Sequence, residues 1–192
     1  AVDLTDSDAV TAVAARIREH AERVDLLVHA AGIEISRSLS DKDADQFALV
    51  HDVKADGWFN LVHALGDLPI GATVAFSSVA GRFGNAGQTD YAAANDLLCK
   101  IASNMRRTRP ETVALALDWT AWGGIGMATR GSIPKIMGMA GVELLPPAAG
   151  GPRGGREVGR GHPRRVGRAG AAGPADRRGP PPPRGVGAAG GW

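Results

Sequence analysis

Thr73-Val74-Ala75-Phe76-Ser77-Ser78-Val79-Ala80-Gly81 is the stretch from which the rest of the chain can be read. Thr73 to Ser77 has the short apolar and β-branched character of a strand, and it runs directly into hydroxyls and small residues. Upstream, Leu26-Leu27-Val28-His29-Ala30 reads as a second strand, apolar enough to be buried on both faces, and Ala31-Gly32 ends it. Downstream, Thr112 to Leu117 reads as a third. Helical patterns fill the intervals. Thr5 or Ser7 can cap a helix reaching about Glu22, on which Val10, Val13, Ala14 and Ile17 form the buried stripe. Ser36 to Asp45 is polar loop or a broken helix start; a long helix follows over residues 44–65, and another over 90–107. Alternating strand and helix predicts a parallel sheet covered by helices, an α/β doubly wound fold whose ligands sit beyond the C-terminal strand ends.

The net charge of +2 is a sum over two unlike segments. Residues 150–192 contain 9 Arg and 2 acids, and 36 of their 43 residues are Gly, Arg, Pro or Ala, a composition that cannot form a packed core. They are read as a disordered tail. Residues 1–149 keep a net charge of −5 and carry the periodic apolar runs, so they are assigned as the folded domain. The single cysteine, Cys99, excludes an intrachain disulfide and a multi-cysteine zinc site. It reads as a small apolar helix residue, and it fits a reducing compartment. No run of about 18 apolar residues suggests a transmembrane helix, and no metal site is expected.

Within residues 44–65, Phe47, Val50, Lys54, Gly57, Trp58, Leu61 and Leu65 recur at steps of three and four and share one face. Lys54 is the misfit on that stripe. A buried amine there must snorkel to water or meet polar partners, because an unpaired buried charge costs several kcal/mol. Ser77 and Ser78 lie where this fold class builds its sites, although serines also suit ordinary turns. Tyr91, the only tyrosine, and Asn95 at i+4 project from one helical face.

Taken together, His29-Ala30-Ala31-Gly32, Lys54, Phe76 to Gly81, and Gly87-Gln88-Thr89-Asp90-Tyr91-Ala92-Ala93-Ala94-Asn95 resemble the short-chain dehydrogenase/reductase superfamily. More narrowly, they are similar to the ketoreductase domains of type I polyketide synthases and related multidomain fatty-acid synthases. The general superfamily has Lys four residues after the Tyr and Asn on the preceding helix. Those ketoreductase domains exchange the two, as here with Lys54 and Asn95. The resemblance spans roughly Asp3 to Ala148, and it implies a Rossmann-like sheet.

It also implies roles. Tyr91 would protonate the developing alkoxide, Lys54 would lower the phenol's pKa, Ser78 would donate to the same oxygen, and Asn95 would order a proton relay. Ala30, Ala31, Gly32 and Met127 would border the cofactor, NADPH. Asp3 would contact the adenine amino group, or else be a solvated residue before a helix cap. The substrate would be a β-ketoacyl thioester on an acyl carrier protein, the partners the other domains of a synthase, the location cytoplasmic. The family's Leu-Asp-Asp marker is replaced by Ile33-Glu34-Ile35-Ser36, and Phe83 stands where the contrasting stereochemical type carries Trp, so product configuration is left open.

Against the family pattern, the first two strands with their glycine-rich phosphate turn and the last strand have no counterpart. The chain is therefore expected to be a partial domain, inactive by itself, with an apolar edge on the strand at 26–30. Codons for Gly, Pro, Ala and most Arg are G/C-rich, so residues 150–192 are read as out-of-frame translation. The rival is a non-catalytic protein whose basic tail binds nucleic acid. Only Trp192 could stack on bases there, and Arg153-Gly154-Gly155 is the one Arg-Gly-Gly triplet, so nucleic acid is disfavoured as a partner.

Overall fold

A computed structural model of the chain describes residues 1–126, 129, 141 and 143–150. The tail assignment, save for Gly150, and Met127 therefore lie outside the described residues.

The elements follow the chain as α1 (Ser7–His20), β1 (Val24–His29), α2 (Ala44–Leu65), β2 (Ile70–Ser78), α3 (Ala80–Phe83), α4 (Thr89–Thr108) and β3 (Val113–Trp119), with a 3-10 turn at Leu39–Asp41. Helix α1 is capped by Asp6 rather than by Thr5 or Ser7. The Asp6 carboxylate accepts from the Asp8 and Ala9 amides at 3.1 and 3.0 Å, while the Thr5 hydroxyl turns back to Asp3. A carboxylate also suits the positive helix end better than a hydroxyl does. Helix α2 has the expected bounds. Asp43 accepts from the Gln46 amide at 2.7 Å at its start, and Gly66, at φ 54°, closes its end on the carbonyls of Val62 and His63.

The three strands run parallel in the order β1-β2-β3. Register places Leu27 beside Thr73, then Ala75 beside Ala116 and Ser77 beside Asp118, all pointing to one face. Helices α1, α2 and α4 cover that face: Trp58 of α2 and Leu98, Cys99, Ala102 and Met105 of α4 pack on Ala75, Ala114 and Ala116. Small alanines in the sheet let the helices approach closely. Ala14 and Ile17 of α1 meet Leu65, Leu68 and Ile70 at the far end of the sheet.

The opposite face differs from expectation. Val74, Leu115, Leu117 and Trp119 are covered by Leu145, Trp122 and Ala149, yet Leu26 and Val28 of β1 are 47% and 49% exposed. The strand at 26–30 is thus buried on one face, not on two: among the described residues, the segment after β3 reaches over β3 and β2 but not over β1. No described helix is long and apolar enough to cross a membrane.

Candidate active site

All three strands end on the same side of the sheet, and the residues singled out by sequence gather at that end. β2 delivers Ser78 as its last residue. Its Oγ accepts from the Ala80 amide at 3.1 Å, so the hydroxyl proton remains free to be donated elsewhere. α4 presents Tyr91 in its first turn and Asn95 one turn later, the spacing that puts both on one face.

Lys54 does not snorkel. It is 3% exposed, and its Nζ donates to the Phe76 carbonyl at 2.8 Å and lies 5.6 Å from the Tyr91 ring centroid. An ammonium has three donors, so two remain for other acceptors. Gly32 makes room for this side chain: a Cβ there would stand 2.8 Å from Lys54 Cε and 3.2 Å from Nζ. Burial pushes the Lys54 amine down to about 8.

The Tyr91 phenol moves the other way. Burial raises its pKa most, hydrogen bonds from Ser78 and Asn95 pull it back, and the Glu34 carboxylate adds to the rise. The expectation that the lysine would leave the phenol more acidic than a free one is therefore not met in the protein as it stands. Loss of hydration from a phenolate decides the direction.

Asn95 is wholly buried. Its Nδ2 donates to the Tyr91 carbonyl at 2.7 Å, its own carbonyl accepts from Ser77 Oγ at 3.0 Å, and its Oδ1 has no partner among the described residues. A buried, unpaired amide oxygen one helical turn from Tyr91 is an unused acceptor. Below it, Cys99 Sγ lies 3.4 Å from Ser77 Oγ and donates to Asp118 Oδ1 at 3.2 Å, and Asp118 Oδ2 accepts from Arg82 Nε at 3.0 Å. Burial pushes the Cys99 thiol up to about 11, so it stays protonated and structural.

The remaining predicted positions are looser. Ala30, Ala31 and Gly32 follow β1 at the C-terminal end of the sheet. Asp3 makes no contact with the tyrosine group among those described. It sits at the head of α1, where its neighbour Leu4 lies against Gly57 and accepts from Asn60 Nδ2 at 3.0 Å. One Asp3 oxygen accepts from both the Thr5 amide and the Thr5 hydroxyl, leaving the second oxygen open.

Sequence reasoning missed three neighbours. His29, 1% exposed, stacks at a tilt on Trp58 with centroids 5.3 Å apart, and its Nε2 lies 2.9 Å from the Lys54 carbonyl. A carbonyl only accepts, so Nε2 carries the proton; burial holds the ring's pKa near 4 and keeps it neutral. Lys42 and Asp90 form an ion pair at 2.6 Å with both side chains 1% exposed. Nothing in their spacing, 48 residues apart, signals the contact.

A parallel sheet with Lys, Tyr, Ser and Asn converging at its C-terminal edge defines a Rossmann-like oxidoreductase domain. The comparisons with known proteins narrow this. The KR domain family model matches residues 1–124, and the chain belongs to that family of ketoreductase domains. Polyketide synthase GfsA of Streptomyces halstedii is 35% identical over 133 residues, covering 69% of this chain and 2% of the synthase. Erythronolide synthase EryA3 of Saccharopolyspora erythraea is 36% identical over 129 residues, 67% of this chain and 4% of the synthase. A polyunsaturated fatty acid synthase polypeptide of a Thraustochytrium strain is 34% identical over 128 residues, again 67% and 4%. The chain thus spans a few per cent of the curated relatives it matches. Among solved structures, a ketoreductase domain from the bacillaene assembly line superimposes with a TM-score of 0.76 at 26% identity, covering 84% of this chain and 40% of that one. A-type ketoreductases from a modular polyketide synthase give 0.75 at 29%, with 84% and 34% covered.

Proposed function

We propose that this chain contributes the proton-supplying half of a site that reduces a β-ketoacyl thioester, carried on an acyl carrier protein within a cytoplasmic synthase, to the β-hydroxyacyl form with NADPH. The observation that carries the reading is the Lys54 ammonium 5.6 Å over the ring of the half-buried Tyr91, with Ser78 ending β2 and Asn95 Nδ2 on the Tyr91 carbonyl at 2.7 Å. A bound nicotinamide supplies the hydride. The residues present fit such a cofactor: small Ala30, Ala31 and Gly32 leave the strand end open, Lys54 has donors to spare for ribose hydroxyls, and Asp3 has a free carboxylate oxygen for an adenine amino group.

As the substrate carbonyl oxygen gains charge, Ser78 turns its hydroxyl hydrogen from the phenol to that oxygen and Tyr91 passes it a proton, leaving the alcohol and a phenolate. The ammonium of Lys54 stabilises that phenolate, so its effect belongs to the reacting state rather than to the resting phenol. The unpaired Oδ1 of Asn95 suits a water through which Tyr91 is reprotonated. In a complete synthase carrying this sequence, Tyr91→Phe should lower turnover by about 10² to 10⁴. A Phe variant with full turnover removes Tyr91 from the chemistry.

A further inference from the structure

Between β1 and α2 the chain runs from Ile33 to Asp43 as loop and a single 3-10 turn, a path with little apolar burial of its own. It is nevertheless fastened along its length to the segment that leads into α4. Gln88 Nε2 donates to Glu34 Oε1 at 3.0 Å, and the Arg37 amide donates to the Gly87 carbonyl at 2.9 Å. Gly87 adopts φ 76°, and a Cβ there would come within 3.3 Å of the Arg37 carbonyl oxygen, so a glycine is what lets the two segments touch.

The strongest of these ties is the last. Lys42 Nζ donates to Asp90 Oδ2 at 2.6 Å and to the Ile35 carbonyl at 2.8 Å, while the other Asp90 oxygen accepts from the Tyr91 amide at 2.8 Å. Both side chains are 1% exposed. A buried ion pair adds little to stability, since desolvating two ions consumes most of their attraction, and what it secures is a unique geometry. Here that geometry ends on the backbone of the tyrosine.

We infer that Lys42 and Asp90 are positioning residues for the proton donor: a buried latch that shuts the 33–42 loop against the first turn of α4 and limits the access of water to the half-buried Tyr91. The inference rests on the reading of Tyr91 as the acid only for its functional meaning; the latch itself can be tested without turnover. Among the described residues, the charged groups around Tyr91 are Lys54 from α2, Glu34 from the loop, and the pair itself. Opening the loop moves Glu34 away and hydrates the phenol, and both changes make its proton easier to remove.

Tyr91 is the sole tyrosine in the chain, so the near-ultraviolet absorbance of phenolate, titrated on the full chain, reports on it alone. In Lys42→Met, folded as judged by circular dichroism, the midpoint should fall toward the ordinary phenol value of about 10, with Lys42→Arg holding closer to the parent. A midpoint that stays put or rises means the loop stays shut without its lysine, and overturns the latch. A merely structural pair would lower the melting temperature and leave the midpoint unmoved. Should Lys42→Met not fold, amide exchange on the unaltered chain decides. The Tyr91 and Arg37 amides should then exchange together and slowly, although first-turn amides are normally among the quickest; fast or unrelated rates overturn the inference. If the latch holds and Tyr91→Phe keeps full turnover, only the assignment of the acid has failed.

Discussion

Lys54 sits on an apolar stripe whose neighbours are Val50, Gly57 and Trp58, and its ammonium meets the Phe76 carbonyl instead of water. The room it needs comes from Gly32, 22 residues away in sequence. Gly32→Ala places a methyl group 2.8 Å from Lys54 Cε, which forces the lysine or the strand end to shift. Overpacking of this kind costs about 1–3 kcal/mol, so the denaturant midpoint should drop by a corresponding amount. An alanine variant as stable as the parent would show that the lysine can move freely and is not held by its cradle. At this scale the sequence was informative where a residue broke a pattern. Lys54 stood out because a charge does not belong on a helix stripe, and Tyr91 because nothing else in the chain is like it. His29 and Asp90 broke no pattern. A histidine ending an apolar strand and an acid in a first helical turn are both ordinary, and their meaning lies in contacts with Lys54 and Lys42 that only the folded chain creates.

Strand β1 shows what periodicity can and cannot say about an element. Leu26, Leu27 and Val28 in succession imply burial on two faces, since a continuous apolar run is how fully covered parallel strands read. The helical face is covered as expected; the other leaves Leu26 and Val28 about half exposed. Hydrophobicity records a preference for cover, and cover depends on which neighbouring segment reaches that far. The two faces should therefore respond differently to substitution. Leu26→Thr should change unfolding free energy by no more than about 0.5 kcal/mol, whereas Leu117→Ala, on a β3 residue 1% exposed, should cost about 2–5 kcal/mol. Equal losses in paired denaturant titrations would show that something covers β1 as thoroughly as β3. Helix bounds were more legible than strand faces. Asp43 and Gly66 punctuate α2 with local chemistry that a sequence displays directly, and α3, a four-residue turn between Ser78 and Gly84, was invisible because so short a helix has no period.

Across the whole molecule, the buried titratable groups tie stability to pH. His29 is neutral in the folded state with a pKa near 4, against 6.5 when unfolded, so between these values the unfolded chain binds more protons and stability rises with pH. Acidification from 6.5 to 4 should remove on the order of 3 kcal/mol through this residue. Lys54 acts in a separate window, with stability rising as pH climbs from about 8 to 10.5. Unfolding free energies of the parent and of His29→Gln, measured across pH 4 to 6.5, isolate the histidine: the variant's curve should be flatter, and parallel curves would mean that the ring is hydrated.

The parallel register also separates the molecule's two ends. The strands begin near Val24, Ile70 and Val113, beside the turns at Asp67–Pro69 and Arg109–Thr112, and finish at the Lys–Tyr–Ser–Asn cluster. Asp67 stands fully in solvent at the starting rim, joined to Arg18 by only a long contact of 3.7 Å. A tether, dye or surface linker attached there would hold the domain by its back, leaving the Lys–Tyr–Ser–Asn cluster and the 33–42 loop at the opposite rim unobstructed.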